Sequence, residues 1–355
     1  MKFFHCADIH LGSKLESNFS PTKAAERASE IRTTFSKLAD TAEKEGVTAI
    51  LLSGDVFDVP LPRLNDTQFF YSVIRNHPHI DFLYLRGNHD TAQVHLDRPD
   101  NLKLFDETWT HYSYGDVDIY GREIGDNVPS DLASSLTVDP NRINIVMLHG
   151  QAGLVKQKGS IDLREFASKG IDYIALGHIH SYSSGNVDSR CSYAYSGCLE
   201  PRGYDELGPK GYIDIEVDKK LALKFVEFSR RRIDLLKVDV SDCHSTADVI
   251  DKIRNESKTS PDNLLRIELV GQADFDKSSL LVDVNSALES GYYSISVKDK
   301  TKKKIDIDSY RDEKSIRGEF IRMVEQDSSL SDEEKAKVIE LGFDALQHGE
   351  EEAKR

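Results

Sequence analysis

Four short runs constrain this chain more than anything else in it: Val47–Leu52, Ile80–Leu85, Ile143–Leu148 and Tyr173–Leu176. Each is predominantly apolar at successive positions and too short for a helix. Successive side chains of a strand point to opposite faces, so such a run must be covered on both sides. Phe3–Cys6 is a shorter run of the same kind. Between them lie amphipathic stretches. Lys23–Glu45 has neither Gly nor Pro, and Ile31, Phe35, Leu38 and Ala42 recur every three to four positions, which predicts a long helix; Thr67–Asn76 predicts another. Buried strands alternating with helices indicate an α/β domain. Each of the four runs ends on a polar cluster holding Asp, Asn or His, at the strand ends where such sheets carry their functional loops.

After about residue 190 the texture changes. Strands are predicted at Cys191–Ser196, Gly211–Val217, Ala222–Phe228 and Arg231–Val240. A helix follows over His244–Asn255, capped by Ser245 or Thr246. Then come a strand at Leu264–Val270, a helix at Lys277–Glu289 and a strand at Tyr292–Val297, which together read as a small second domain. Lys298–Lys304 reads as a charged connector. Glu313–Gln326 and Asp332–His348 read as tail helices, the second opened by a Ser331/Glu334 capping box. The expected division is therefore 1–228, 229–304 and 305–355.

Composition works mainly by exclusion. No window approaches the uncharged apolar length of a membrane span, and polar residues follow Met1 too soon for a signal-peptide core, so a cytoplasmic protein with no membrane partner is expected. Cys6, Cys191, Cys198 and Cys243 lack metal-binding or disulfide spacing and read as reduced, buried side chains. The net charge of −15 opposes a polyanionic partner. Much of that charge sits late, since residues 305–355 hold 15 acidic against 8 basic side chains. Bound divalent ions would also supply positive charge where a phosphate sits.

Five clusters carry the chemistry: Asp8-Ile9-His10, Gly54-Asp55, Gly87-Asn88-His89-Asp90, His149-Gly150 and Gly177-His178-Ile179-His180. A single His after a strand is more often a satisfied polar residue than a ligand. Five strand ends in order offering Asp, His or Asn are a different matter, and they hold five of the twelve histidines. Two neighbouring divalent ions need such a set, with a carboxylate shared between them. Asp-x-His is expected to aim both side chains one way, because positions i and i+2 of a strand share a face. The mixture of nitrogen and oxygen donors suits Mn, Fe or Zn better than Mg or Ca, and the lack of Cys ligands argues against a structural zinc.

In that order, these clusters resemble the calcineurin-like metallophosphoesterases. "ADIHLG", "GDVFD", "GNHD", "ALGHIH" and "YSGCLEPRGYDELGPKG" further resemble the SbcD-type nuclease subunits of DNA double-strand-break repair, strongly over residues 1 to about 225 and beyond that in layout only. The resemblance implies a sandwich of two mixed sheets flanked by helices, with a small α/β capping domain and C-terminal helices. It implies two divalent ions, manganese first: one held by Asp8, His10, Asp55 and His180, the other by Asp55, Asn88, His149 and His178. Asp55 would bridge them, and a hydroxide shared between the ions would attack phosphorus. His89, oriented by Asp90, would protonate the leaving oxygen, a task suited to an imidazole. DNA as substrate, an SbcC-like SMC/ABC-type ATPase as partner, a homodimer and association with the nucleoid are implied in the same way. The archaeal relatives carry His where this chain has Asp58, so a histidine-based exonuclease role at that place does not carry over.

Plainer readings stand beside these. Lys298–Lys304 is better read as a solvated connector than as a DNA contact. Arg230–Arg232 is balanced between structural pairing and phosphate contact. Lys156, Lys158 and Arg164 follow His149 where substrate contact is plausible. His77, His79, His95, His111, His244 and His348 read as surface or satisfied residues, and Trp109, Tyr112 and Tyr114 as packing. Ile316, Phe320, Met323 and Val324, and likewise Val338, Leu341, Ala345 and Leu346, form apolar stripes that either pack on the chain's own second domain or grip the ATPase. A metal-dependent DNA exonuclease and endonuclease stands first. A stand-alone phosphatase or cyclic-nucleotide phosphodiesterase is the alternative, and a non-enzymatic scaffold is disfavoured because the whole ligand set and His89 are present.

Overall fold

A computed structural model describes residues 1–355 apart from 91–96, 126, 156, 158, 219, 274, 276, 304–308, 311, 312 and 353–355. The chain divides into two compact units, residues 1–236, 258–266 and 288–296 in the first and 237–257, 267–287 and 297–355 in the second.

The apolar runs form strands. In chain order the first unit holds β1 (Lys2–Cys6), helix α1 (Pro21–Lys44), β2 (Ala49–Ser53), α2 (Leu64–Asn76), β3 (Asp81–Leu85), β4 (Leu102–Leu104), β5 (Thr110–Tyr114), β6 (Val117–Gly121) and β7 (Ile143–His149). After the two-residue strands β8 (Ala152–Gly153) and β9 (Ile161–Asp162) come β10 (Tyr173–Gly177), β11 (Ser183–Asn186), β12 (Ser192–Tyr195), β13 (Gly211–Val217) and β14 (Leu221–Glu227). They make two six-stranded mixed sheets, ordered β14-β13-β1-β2-β3-β4 and β11-β12-β10-β7-β6-β5. β1, β2 and β3 are mutually parallel, and so are β6, β7, β10 and β12.

Both faces of both sheets are covered, which is why the central strands read as continuous apolar runs. Phe3, Leu51 and Leu83 from the first sheet meet Ile145, Met147 and Tyr173 from the second in one buried cluster. The alternate residues Phe4, Ile50, Leu52 and Phe82 pack outward against Ile31, Phe35 and Leu38 of α1 and Phe70 and Ile74 of α2. On the far side Val146, Leu148, Ile174 and Leu176 are covered by Leu163 and Phe166. His5 falls on the inter-sheet face, where its Nδ1 lies 2.7 Å from the Tyr173 hydroxyl. β5 and β11 escape sequence reading because their side chains are partly or largely exposed and form no apolar run.

In the second unit, helix α3 (Thr246–Glu256) is capped by Ser245, whose side chain accepts from Asp248 N. Val238, Val249, Ile253, Leu269 and Val284 are buried. β15 (Ile233–Asp239), β16 (Leu264–Val270) and β18 (Ser294–Asp299), each with residues in the ranges of both units, form a three-stranded sheet. The expected connector Lys298–Lys304 is partly strand: β17 (Gln272–Ala273) pairs in parallel with β19 (Lys302–Lys303). Helix α4 (Leu280–Leu288) lies between β17 and β18, and helices α5 (Ile316–Gln326) and α6 (Asp332–Glu352) follow, α6 opened by the reciprocal Ser331–Glu334 capping bonds. Their apolar stripes need correction. Ile321 and Val324 pack on Ile339 and Phe343, whereas Ile316, Met323 and Leu341 are 75%, 66% and 60% exposed. The helices bury the faces they turn to each other, which leaves the outer part of each stripe open.

Phe35 is fully buried and stacks on Phe70 with ring centroids 5.7 Å apart. Phe35→Ala is expected to cost about 3–5 kcal/mol of unfolding free energy, read from urea denaturation; a midpoint within error of wild type would show that α1 is not seated by this contact.

Candidate metal centre

All five polar clusters lie at C-terminal strand ends. Asp8 follows β1, Asp55 follows β2, Asn88 follows β3, His149 closes β7 and His178 follows β10. Parallel pairing within each sheet aligns these ends, and face-to-face packing brings the two sets together. His178 N donates to both carboxylate oxygens of Asp8, at 3.0 and 3.1 Å. Close approach requires the motif glycines: a Cβ on Gly177 would stand 1.8 Å from Ser53 O, and one on Gly87 would stand 2.1 Å from Asp55 Oδ1.

The two-residue alternation of a strand does not explain why Asp8 and His10 converge, because β1 has already ended at Cys6. Asp8 and His10 both have φ +53°, Asp55 has +51° and His178 has +105°; these are four of the six non-glycine residues with positive φ among the described residues. Such backbone costs energy and persists only where the surroundings hold it. Here Asp8 N bonds Gly54 O and His10 N bonds Asp55 O, both at 3.0 Å, so the two loops fix each other.

Hydrogen bonds behind the imidazoles decide what faces inward. Nδ1 of His149 lies 2.9 Å from Ser53 O and Nδ1 of His180 lies 2.7 Å from Glu206 Oε1, both in hydrogen-bonding geometry, while Nδ1 of His10 lies 2.9 Å from Asp58 Oδ1 as a close contact without that geometry. Ser53 O only accepts, which places a proton on Nδ1 of His149, whereas Nδ1 of His180 meets both the Glu206 acceptor and the Arg202 Nη2 donor, the latter at 3.1 Å. The two Nε2 atoms of His10 and His180 stand 3.2 Å apart. His10 Nε2 is 3.9 Å from Asp55 Oδ2, and His180 Nε2 is 4.0 Å from Asp8 Oδ1. His149 Nε2 is 3.1 Å from Asn88 Oδ1 and 3.3 Å from Asp55 Oδ2. Asp8, His10, Asp55 and His149 are buried. Carboxylates, an amide oxygen and ring nitrogens gathered in a buried place favour positive charge there, carried by a proton or by a metal ion. The groups Asp8/His10/His180 and Asp55/His149/His178 each gather their donor atoms within 4.8 Å of one another, and their N/O chemistry fits divalent transition metals.

Titration follows the same logic. Burial disfavours the imidazolium of His149, but its hydrogen bond to Asp55 outweighs this and raises its pKa to about 9. Burial works against the Asp55 carboxylate, yet the His149 bond and the nearby His10 hold its pKa below the usual carboxylate range. Asp55 draws positive charge into this place.

His89 is exposed. Its backbone N donates to Asp55 Oδ1 at 3.0 Å, and its ring stands edge-on to His10 with centroids 5.3 Å apart. Asp90 does not turn toward His89, as the resemblance implied. Its buried carboxylate accepts from Val56 N (2.8 Å), Gly87 N (2.6 Å) and the Tyr84 hydroxyl, tying the Asn88 loop to the Asp55 loop. Asp58, Arg202 and Glu206 were not read as site residues from sequence, although Arg202 and Glu206 lie in the quoted "EPRGYDE" stretch; no spacing rule links them to His10 and His180. Arg230 and Arg231 pair with Glu30, Arg232 with Glu227 and Arg164 with Asp162. Trp109 Nε1 donates to Leu132 O, a packing role, and His77 is buried against Val73 O and Asp40. Lys156, Lys158 and His95 lie outside the described residues, as does the side chain of His348.

A family model described as calcineurin-like phosphoesterase matches residues 1–182. The chain is 27% identical over 245 residues to the DNA double-strand break repair protein Mre11 of Saccharolobus solfataricus, covering 63% of this chain and 62% of that protein. Against Mre11 of Sulfolobus acidocaldarius the identity is 26% over 314 residues, 81% of this chain and 79% of the relative. An uncharacterized metallophosphoesterase of Bacillus subtilis, YhaO, is 28% identical over 242 residues, 61% of this chain and 57% of that protein. The chain thus spans less than two thirds of the length of the Saccharolobus relative.

Asp90→Ala removes the acceptor of Val56 N, Phe57 N, Gly87 N and the Tyr84 hydroxyl and is expected to cost about 3 kcal/mol. An unchanged urea midpoint would show that the carboxylate does not hold the two loops together.

Proposed function

The chain belongs to the calcineurin-like phosphoesterases, and we propose that it is the nuclease subunit of a DNA-break-repair machine, cleaving phosphodiester bonds with two divalent ions, manganese first. One observation carries this: five strand ends bring Asp8, His10 and His180, and Asp55, His149 and His178, into two groups whose ligand atoms lie within 4.8 Å of one another, with Asn88 beside His149. Asp8, His10, Asp55 and His180 would hold one ion; Asp55, Asn88, His149 and His178 would hold the other. When bound, the pair supplies Lewis acidity and a nucleophile at neutral pH.

The chain's own groups do the rest. Asp55, bonded through Oδ1 to His89 N and facing His10 and His149 through Oδ2, is the shared carboxylate. His89, with an exposed ring beside His10, protonates the leaving oxygen. The relatives named as DNA double-strand break repair proteins support DNA as substrate. The N/O donor set supports manganese over magnesium. The exposed Ile316, Met323 and Leu341 support an SMC-like ATPase of the SbcC type docking on the C-terminal helices. A homodimer working in the cytoplasm on nucleoid DNA completes the proposal.

With Mn²⁺, linear DNA is expected to be degraded while p-nitrophenyl phosphate and cyclic nucleotides are turned over poorly. Cleavage of the small esters alone, with the ATPase present, would leave a small-molecule phosphodiesterase or phosphatase in its place. His89→Ala should lower turnover about 10²–10⁴-fold with unchanged manganese content by elemental analysis; loss of metal in that variant would make His89 a ligand. Asp55→Ala should abolish uptake of both ions in the same measurement, and retention of one would remove its shared role.

A further inference from the structure

Nε2 of His10 and Nε2 of His180 stand 3.2 Å apart, with Arg202 Nη2 3.4 Å from the latter, and neither ring is backed by main chain. Behind His10 stands Asp58, and behind His180 stands Glu206. One guanidinium spans the two carboxylates: Arg202 Nη1 lies 2.8 Å from Asp58 Oδ1, and Nη2 lies 3.3 Å from Glu206 Oε1 and 3.1 Å from His180 Nδ1. A guanidinium is planar with its donors at fixed spacing, so it sets the separation of the two carboxylates as well as neutralising one of them. We propose that Asp58, Arg202 and Glu206 form a clamp that positions His10 and His180 for the divalent ion of that half of the centre. This rests on the two-ion reading given above.

The clamp is itself held from behind. Glu206 Oε2 accepts from Arg202 N at 2.7 Å, closing the turn between them. Two residues earlier, Glu200 is fully buried and accepts from Arg27 (2.9 Å) and Thr34 (2.7 Å) of α1, while Pro201 O accepts from Arg27 at 2.9 Å. Lys210, 1% exposed, donates to His180 O at 2.7 Å. The stretch Cys198–Glu206 is thus pinned to α1 at one end and to the metal centre at the other. Its residues touch no reacting atom, and their part is positioning. A carboxylate behind a ligating imidazole fixes its tautomer and ring and makes it a better donor, and loss of such a partner typically lowers metal affinity about 10–100-fold.

The two halves differ in a way that makes the clamp testable. His149, in the other half, is backed by the carbonyl of Ser53, which no clamp substitution alters. The measurement is a Mn²⁺ titration of the metal-free full chain, with free Mn²⁺ followed by electron paramagnetic resonance and thermal unfolding recorded on each metal-free variant. Wild type should take up two ions. Glu206→Ala and Asp58→Ala should each keep one ion at wild-type affinity and weaken the other about 10–100-fold; Glu206→Ala, which strands Arg202 N, should also lower the unfolding midpoint while leaving the affinity for the other ion unchanged. Glu206→Gln, which still accepts from Nδ1, should lie nearer wild type than Glu206→Ala, and Arg202→Lys, lacking the fork, should not restore what Arg202→Ala loses. Two ions bound at unchanged affinity in the Ala variants would overturn the clamp. So would parallel loss of both affinities together with the unfolding midpoint, which would make the network structural only. Failure of wild type to bind two ions would overturn the two-ion reading itself, before any variant is compared.

Discussion

Asp8, Asp55, His10, His149 and His180 turn acceptor atoms toward one another in a buried place, and such an arrangement is stable only when positive charge enters it. Much of the first unit serves this condition. Ser53 O, Asp58 and Glu206 stand behind three imidazoles, whose Nε2 atoms face the centre.

The scaffold accepts a cost to keep the acceptors there. Asp8, His10, Asp55 and His178 hold left-handed backbone that ordinary side chains avoid. Their amides and carboxylates are cross-bonded between loops of the two sheets, and Asp90 clamps the Asn88 loop to the Asp55 loop from below. Glycines at 87 and 177 stand where any Cβ would strike a neighbouring strand end. Strain and close approach are concentrated at one edge, while the rest of the sandwich is ordinary apolar packing on three parallel layers of core.

The acidic net charge looks unsuited to a nucleic-acid substrate, but net charge is a long-range quantity that salt screens. The clusters Arg230–Arg232 and Arg164, which in sequence look available to phosphate, are engaged with Glu30, Glu227 and Asp162. Positive charge for a bound phosphate would therefore come chiefly from the centre itself, where divalent ions act at contact distance.

Sequence by itself determined most of the buried strands, the two long helices of the first unit, the five polar clusters and the capping of two later helices, because each depends on neighbours a few residues apart; it missed β6, buried throughout, whose Asp118 breaks the apolar run. It could not reveal the half-exposed strands β5 and β11, whose side chains are set by edge position, nor which parts of the C-terminal stripes would be covered. It also gave the wrong reason for the convergence of Asp8 and His10, because the strand stops before them and a left-handed turn does the aiming. Only the tertiary structure decided that Asp90 looks inward and not to His89, and that Asp58, Arg202 and Glu206 stand behind two imidazoles. Those contacts join residues as far apart as 144 positions in the chain, and a pairing over that distance is fixed by how two sheets and a helix pack, not by any local pattern.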